Sequence, residues 1–275
     1  MIIDSFLNKY TRRLFQNKNN HPFYQVLLWR LWRVWTRLNY KKKSRHYLPE
    51  LSERGVSILG NSNVTDLARS VATLFADIPI QNGFCSLPRE KNSIVAPLIY
   101  RVVQEHKAKI ESHFRSNFRV NWFEVQKLVE SSQTAGGSFL YHTDDVPDDV
   151  FKLFIYLTDC TEQTGAFRTF DYNVTNQLIK AGMMESSNPG QPRVDAQKLV
   201  STDLEKSLIV IEGEKGTVFM FDNNLIHKGT LPRRGQRIHV SMELMPDVKP
   251  QNFSQFSKNC ALPIKEYFPS NPFRA

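Results

Sequence analysis

The second half of the chain contains short apolar segments that are bounded by Gly, Asn, Asp or Pro. These segments read FKLFIYLTD (151–159), LIVIEG (208–213), GTVFMFD (216–222) and RIHVSMELM (237–245). Short stretches rich in β-branched and aromatic residues, separated by turn residues, are typical of antiparallel strands. A parallel sheet would instead require a helical crossover between successive strands. The pattern therefore predicts a sandwich, barrel or jelly roll.

Helices are predicted before these strands. The segment YLPELSERGVSILG, which begins at residue 47, indicates a short helix, a glycine turn and a strand. The segment SNVTDLARSVATLFADI opens with an Asn or Thr cap before a helical pattern, and residues 96–114 predict a further helix. RVNWFEVQKLVES (119–131) then alternates like a strand. The chain is thus expected to be mainly β with supporting helices.

A long connection interrupts the strands between about residues 171 and 205. It exceeds the length of an ordinary loop, so it is either partly helical or a lid over a functional site. The predicted organisation is an N-terminal helical appendage over residues 1–46 and a single domain over residues 47–275. The core of that domain is expected at about 120–245.

The positive charge of the chain is concentrated in the appendage. The formal net charge is +9, and residues 1–46 contain eleven Lys and Arg against one acid, Asp4, so the remainder carries about −1. A nearly neutral body argues against a nucleic-acid surface that covers the domain. No nucleic-acid partner is expected.

Within the appendage, FYQVLLWRLWRVWTRLNYKKKSR (23–45) predicts a basic amphipathic helix. Three arginines, Arg30, Arg33 and Arg37, fall in one narrow sector of the helical wheel, and a broad apolar arc lies opposite. Such a helix either packs on the main domain with solvated arginines, lies on an anionic membrane, or binds a protein partner. These alternatives stay open at the level of sequence.

No apolar run is long enough to span a bilayer, and the first fifteen residues lack the apolar centre and cleavage site of a secretory signal. Cys85, Cys160 and Cys260 are widely spaced and odd in number, which suits a reducing compartment. They are expected to be buried small hydrophobic residues. A cytoplasmic location is predicted, either free or peripheral to a membrane through residues 23–45.

The stretch GGSFLYHTDD carries the chemistry. His142 and Asp144 are two residues apart, so on an extended backbone both side chains point to one side and can reach one metal ion. Asp145 is a rival ligand, but an adjacent residue faces away. A second histidine, His227, follows the turn Asp222–Asn224 much later in the chain. Two histidines and one carboxylate that occupy one face of an octahedron are typical of Fe(II) oxygen chemistry.

The conjunction of further motifs points to a family. A glycine corner at Gly165 and the strand KGTVFMF precede His227, and the pattern H-x4-P-x2-G-x-R ends at Arg237. The segment from about 120 to 245 resembles the Fe(II)/2-oxoglutarate-dependent dioxygenases, whose core is a double-stranded β-helix, or jelly roll. The resemblance implies that His142, Asp144 and His227 hold iron. It also implies that Arg237 pairs with the distal carboxylate of 2-oxoglutarate, for which a guanidinium is well suited.

The expected cofactors are accordingly Fe(II), 2-oxoglutarate as cosubstrate, and O2. The expected activity is hydroxylation of a C–H bond in a small-molecule or lipid-like substrate, with release of succinate and CO2. Related halogenating enzymes lack the carboxylate ligand, so Asp144 favours hydroxylation. Both the prolyl-hydroxylase-type and the phytanoyl-CoA-hydroxylase-like branches share features with this chain. A non-catalytic jelly-roll binding protein and a cupin-like metal enzyme that does not use 2-oxoglutarate are the alternatives.

Three further residues are candidates for the cosubstrate pocket. His239 shares a strand face with Arg237 and either bonds the cosubstrate carboxylate or is a satisfied core histidine. Lys152 and Thr169 either line the pocket or have structural roles. His106 and His113, seven residues apart on a predicted helix, are expected to be surface histidines.

Overall fold

The computed structural model describes residues 23–40, 48–131, 137–144, 146, 149–185, 193–194, 199 and 203–261. Its strands are β1 Val56–Asn61, β2 Phe84–Ser86, β3 Asn117–Val129, β4 Phe151–Tyr156, β5 Phe167–Thr169, β6 Met184–Glu185, β7 Arg193–Val194, β8 Ile209–Ile211, β9 Thr217–Asp222, β10 His227–Lys228 and β11 Gln236–Asp247. Its α-helices are α1 Phe23–Leu38, α2 Pro49–Arg54, α3 Thr65–Leu74, α4 Asn92–Glu105, α5 Lys107–Phe114, α6 Tyr172–Lys180 and α7 Phe253–Ala261. Short 3-10 helices cover Arg89–Lys91, Gly137–Phe139 and Asp203–Ser207.

Two antiparallel sheets form the core. The larger sheet has the strand order β1-β9-β4-β11-β3-β2, and the smaller has the order β10-β5-β8. An isolated bridge between His142 and His227 extends the smaller sheet by one more strand position. The two sheets enclose an aromatic layer that includes Phe154, Phe167 and Phe219. The chain is thus a double-stranded β-helix with supporting helices, and the predicted fold class is confirmed.

Helices cover the outer face of the larger sheet. Val125, Leu153 and Val240 pack outward from the sheet into a cluster with Ile99 and Phe114 of the helices. Side chains alternate between the two faces of a strand, so their strand neighbours point inward to the space between the sheets. The inward positions of β3, β4 and β11 are therefore the ones that can form a site.

The helix predicted over residues 96–114 is in fact two helices, α4 and α5, which are divided at His106. His106 is buried, and its Nε2 lies 3.0 Å from the hydroxyl of Ser62. Burial lowers the pKa of this imidazole, and the nearby Lys109 lowers it further. The expectation of a surface histidine at this position was wrong, because the break in the helix turns His106 towards the start of α3.

The described part of the long connection packs against the core. Helix α6 begins at an Asp171 cap whose carboxylate accepts a hydrogen bond from the backbone of Val174. Further on, Val194 of β7 donates its backbone N–H to the carbonyl of Tyr141 at 2.9 Å. The connection is partly helical, and β7 pairs with the chain directly before His142.

Helix α1 is docked on the domain, but with a different face from the one expected. Its inner side presents Trp29 and Trp32, which pack with Val146, Val150 and Met245. Its apolar arc is divided, since Leu27, Leu31, Val34, Trp35 and Leu38 point away from the domain. Residues 41–45 of the predicted helix lie outside the described part of the chain. Among the described residues, no helix combines the length and the apolar character needed to cross a membrane.

The expectation of solvated arginines on this helix was wrong for Arg33. Its side chain is buried, and its Nε lies 2.8 Å from the carboxylate of Asp149. Its Nη2 donates to the carbonyl of Phe114 at 3.0 Å. A charge can be buried in this way only because a carboxylate and a carbonyl receive its donors.

We expect Asp149→Asn to lower the free energy of unfolding by about 3 kcal/mol, because it leaves the buried Arg33 guanidinium without its counter-charge. Asparagine tolerates the left-handed backbone of residue 149, where φ is 63°, so the backbone is preserved. The matched control is Asp66→Asn in the exposed Asp66–Arg69 pair, which should cost less than about 1 kcal/mol. Urea denaturation of both variants measures the difference, and equal losses would contradict the structural role of Arg33.

Candidate active site

Two histidines face each other at the edge of the smaller sheet. His142 and His227 form an antiparallel bridge in which each backbone N–H donates to the other residue's carbonyl, at 3.0 and 2.9 Å. Their ring centroids are 4.4 Å apart. Residues 85 positions apart in sequence are thus brought together by ordinary strand pairing.

Asp144 completes a cluster with these histidines. Its Oδ1 lies 3.4 Å from Nε2 of His142, and its Oδ2 lies 3.7 Å from Nε2 of His227. One potential ligand atom from each of the three residues lies within 4.8 Å of the others. The three residues singled out from the sequence therefore meet at one point. The rival ligand Asp145 lies outside the described residues.

The turn after β9 positions Asp144 and the residues that follow it. The carbonyl of Asn223 accepts the backbone N–H of Asp144 at 3.1 Å. The Asn224 side chain bonds both the N–H and the carbonyl of Val146, at 3.1 and 3.0 Å. Asp222 receives the hydroxyl of Tyr172 from α6 at 2.8 Å. The Asp222 carboxylate, the Asn224 side chain and the Asn223 carbonyl of this buried turn thus each have a partner on the segment that carries Asp144 or on the long connection.

The hydrogen bonds of the imidazoles determine which nitrogens carry protons. Nδ1 of His142 lies 2.7 Å from the carbonyl of Leu140, and Nδ1 of His227 lies 2.8 Å from the carbonyl of Leu225. A carbonyl only accepts, so both Nδ1 atoms must donate, and a neutral imidazole then has a lone pair on Nε2. Burial lowers the pKa of His227 to about 3, with a further contribution from His142, so His227 is neutral at physiological pH.

Nε2 of His142, Nε2 of the neutral His227 ring and the carboxylate oxygens of Asp144 therefore converge on one point. Lone pairs facing lone pairs repel, and a divalent cation between them would remove that repulsion. The donor set of two nitrogens and one oxygen suits iron. The residues present thus fit the metal that the resemblance implies.

Lys152 lies against the carboxylate of this cluster. Its ammonium is 2.5 Å from Oδ2 of Asp144 and 5.9 Å from the ring centre of Trp122. Burial of Asp144 opposes ionisation, but Lys152 and then the two histidines outweigh it and hold the pKa of Asp144 well below its usual range. The structure therefore places Lys152 in the site as a partner of Asp144.

The cluster lines a cavity of about 710 Å³ between the two sheets. Arg237, Lys152 and His239 also line the cavity, whereas Thr169 does not. Thr169 is fully buried, and its hydroxyl lies 3.2 Å from the carbonyls of both Phe170 and Ile226. Its position opposite His227 in the sheet register gives it a place beside the cluster but not in the cavity wall.

Arg237 is the largest fully buried side chain in the cavity wall. Its Nη1 donates to the carbonyl of Gly165, and its Nε has no hydrogen-bond partner. In the part of the chain that the structure describes, no carboxylate lies within ion-pair distance of its guanidinium. A buried arginine without a counter-charge is costly, so this position favours the binding of an anion.

The conformation of Gly165 allows this contact. Its φ is +88°, and an added Cβ would lie 2.4 Å from the carbonyl oxygen of Thr230. Only glycine fits this turn, so the corner noted in the sequence has a steric cause.

His239 stacks on Phe154 with ring centroids 4.9 Å apart and an interplanar angle of 7°. Its Nδ1 has no hydrogen-bond partner among the described residues. Burial, and then the nearby Arg237, lower the pKa of His239 well below its ordinary value, so the ring is neutral. The unsatisfied Nδ1 beside Arg237 can donate one hydrogen bond to a bound anion when it carries the ring proton.

A group of cavity residues was missed from the sequence. Trp122 and Glu124 on β3 and Ser241 and Glu243 on β11 all line the cavity. The same strand face carries Arg237 and His239, so extending the two-residue period of β11 by two more steps would have found Ser241 and Glu243. The cavity-facing position of Trp122 could not be predicted from the two-residue period because β3 contains an irregularity.

That irregularity is a β-bulge at Asn121. Glu243 pairs with Trp122 and Leu244 with Val120, which leaves Asn121 without a cross-strand partner. The Asn121 amide donates to Oε1 of Glu243 at 2.8 Å. Burial raises the pKa of Glu243 to about 7, although Asn121 and Lys152 act in the opposite direction. The cavity thus contains a carboxyl group that titrates near neutral pH.

No protein-family model matches the sequence, and no curated protein matches it significantly. Solved structures do match in fold. EctD from S. alaskensis with 2-oxoglutarate and 5-hydroxyectoine superposes with a TM-score of 0.52 at 13% identity, covering 80% of this chain and 87% of that chain. The EctD structure with bound Fe gives 0.53 at 12% identity, covering 81% and 88%.

A third match is the epimerase SnoN in complex with Fe3+, alpha ketoglutarate and nogalamycin RO. Its TM-score is 0.53 at 11% identity, and the match covers 72% of this chain and 81% of that chain. These proteins bind iron and 2-oxoglutarate within the fold that this chain shares with them. The fold that the sequence resemblance implies is therefore confirmed.

We expect His227→Ala to lower the affinity for Co(II) or Fe(II) by at least about 100-fold, because one of three ligands is removed from the cluster. His113→Ala, which removes a histidine from α5, should leave metal affinity unchanged. Calorimetric titration of the metal-free protein measures both. Equal affinities for the two variants would place the metal elsewhere.

Glu243 should make stability depend on pH in the metal-free protein. Its folded-state pKa of about 7 is raised from 4.5, so its contribution to stability is present below about pH 4.5 and is lost as pH rises through 7. Relative to Glu243→Gln, the wild type should lose about 2 to 3 kcal/mol between about pH 5 and about pH 8. Parallel urea denaturations measure this difference, and a constant difference across that range would refute the raised pKa.

Proposed function

We propose that the chain is an Fe(II)- and 2-oxoglutarate-dependent oxygenase that hydroxylates a C–H bond of a polar small molecule and releases succinate and CO2. The observation that carries this proposal is that one cavity contains both a guanidinium without a carboxylate partner among the described residues and a cluster of three potential metal ligands. Arg237 is 1% exposed and lacks a carboxylate partner among the described residues. His142, Asp144 and His227 converge, and both Nδ1 atoms are bonded to backbone carbonyls, so that Nε2 of each ring faces the carboxylate.

His142, Asp144 and His227 would hold the iron. Their bridge and turn contacts fix the ring orientations, which supports tight and defined ligation. Bound iron and 2-oxoglutarate supply the activation of O2 needed to oxidise a C–H bond. The Lys152 ammonium forms an ion pair with Oδ2 of Asp144 and neutralises its charge, so Lys152 acts as a positioning residue for that ligand.

Arg237 would bind the distal carboxylate of 2-oxoglutarate. A guanidinium offers two parallel hydrogen bonds to a carboxylate and stays charged when buried. The Nε without a partner is a donor available for it. His239 lies on the same strand face and could add one hydrogen bond. A cupin-like metal enzyme without 2-oxoglutarate would have no use for such a group.

Aromatic side chains would exclude water from this part of the cavity. Phe167 and Phe221 lie with ring centroids 5.7 and 5.0 Å from that of His227. Phe154 stacks on His239. A dry wall behind the ligands strengthens the electrostatic contacts of Arg237 and protects reactive species from side reactions.

The stretch of the larger sheet next to Arg237 and His239 would contact the substrate. It offers Trp122, Glu124, Ser241 and Glu243, of which Glu124 also accepts a hydrogen bond from Gln126 at 2.9 Å. Carboxylates, a hydroxyl and an indole favour a substrate with hydroxyl or amino groups over a lipid-like one. The solved structures of similar fold contain small molecules such as 5-hydroxyectoine and nogalamycin RO.

An anaerobic titration tests the proposal. Metal-free protein is loaded with Fe(II) and then with 2-oxoglutarate, and the weak visible charge-transfer absorption of a chelated 2-oxo acid is followed. We expect the band in the wild type, and we expect Arg237→Gln to raise the dissociation constant of 2-oxoglutarate by about 100-fold with little change in iron affinity.

The matched control is Arg234→Gln, three residues earlier in an exposed turn. It should titrate like the wild type. Iron binding without the band in the wild type would refute the use of 2-oxoglutarate. A band that persists unchanged in Arg237→Gln would refute the role of that residue.

A further inference from the structure

The outward side of α1 is an exposed apolar surface. Five large side chains form one stripe along the helix, and each is between 47% and 75% exposed: Leu27, Leu31, Val34, Trp35 and Leu38. Their spacing of three and four residues places them within one sector of the helix. A contiguous apolar patch of this kind on a folded protein marks an interaction site.

The stripe cannot be buried by a rotation of α1 on the domain. The opposite face is committed through Trp32, whose indole N–H donates to the carbonyl of Pro246 at 3.3 Å, and through the Arg33–Asp149 pair. Turning the stripe inward would break these contacts and expose the Arg33 charge pair. Whatever covers the stripe must therefore come from outside this docked arrangement.

The charge around the stripe favours an anionic partner. Helix α1 contains no acidic residue. Arg30 and Arg37, two helical turns apart, lie along one edge of the stripe. The Arg37 side chain is 46% exposed, and its Nη2 lies 3.5 Å from the Asp149 carboxylate that also pairs with Arg33, so two arginines share one acid and a net positive charge remains. Residues 1–46 as a whole contain eleven Lys and Arg and one acid, while the rest of the chain is nearly neutral.

Like charges disfavour the nearest alternatives. A second copy of the chain would bring the same arginines against each other, and residues 1–22 are themselves basic, with four Lys and Arg against Asp4. Nucleic acid would satisfy the arginines but not an apolar stripe. A lipid surface satisfies both, since acyl chains accept the leucines and anionic headgroups attract the arginines.

We propose that α1 docks the protein on an anionic membrane surface through this stripe. The helix lies parallel to the surface, with Trp35 at the level of the headgroups and Leu27, Leu31 and Leu38 among the upper acyl groups. Arg30 and Arg37 reach the headgroups along the edge of the stripe. The docking concerns only α1, so it stands whether or not the cavity binds iron.

Vesicle sedimentation of the full chain tests this proposal. The probes are vesicles of phosphatidylcholine alone and vesicles with about 30% phosphatidylserine. The wild type should bind the anionic vesicles with a blue shift of tryptophan fluorescence. Binding should weaken when salt is raised from about 0.1 to about 0.5 M. The double variant Leu31→Ser with Trp35→Ser should bind at least about ten-fold more weakly.

The matched control is Ile94→Ser on α4, which removes an equally exposed side chain (56%) from another surface. Both variants change solvent-exposed positions, and unchanged melting temperatures verify that each is folded. The control should bind vesicles like the wild type.

Three results would overturn the proposal. The first is a failure of the wild type to bind anionic vesicles, whether or not it binds an acidic protein. The second is equal vesicle binding by the wild type and the double variant. The third is a wild-type dimer that the double variant dissociates without any vesicle binding, which would make the stripe a contact between copies.

Discussion

The contact on which the site depends is the backbone bridge between His142 and His227. It holds the two imidazoles close together, and the carbonyls of Leu140 and Leu225 accept hydrogen bonds from their Nδ1 atoms, so Nε2 of each ring faces the Asp144 carboxylate. Nε2 of the neutral His227 ring and the carboxylate are both acceptors, and the surrounding chain must hold them together. Strand pairing, the turn after β9 and the Lys152 ammonium all serve that purpose.

Two segments outside the jelly roll contribute to the same task. Strand β7 of the long connection pairs with the chain beside His142, and Tyr172 of α6 bonds Asp222 in the turn. Helix α1 packs on Val146 and Val150, which follow Asp144, and pairs with Asp149. The predicted appendage and the long connection therefore both support the segment that carries His142 and Asp144. Their stability and that of the site are linked.

Local patterns predicted the elements well, because strands and helices bury one face at a regular period. The strands over 151–159, 208–213, 216–222 and 237–245 correspond to β4, β8, β9 and β11. The H-x-D spacing and the distant histidine were sufficient to propose the ligand set, since short-range geometry and a motif order carried that information. The role of α1 was harder to predict. Its arginines were expected in solvent, yet Arg33 is buried because Asp149, 116 residues away, meets it. Long-range ion pairs leave no trace in a helical wheel.

The bulge at Asn121 lies in a strand whose two faces have different roles: one packs on the helices and the other lines the cavity. Before it, Val120 faces the helical layer; after it, Phe123 and Val125 do so, while Trp122 and Glu124 face the cavity. Asn121 itself has no cross-strand partner to lose, yet its amide touches the Glu243 carboxyl. Substitutions at this position can therefore retune the polarity of the cavity wall while the hydrogen-bond ladder stays intact. In evolutionary terms, the extra residue offers a route by which related proteins could diverge in the molecules they accept without first sacrificing the fold.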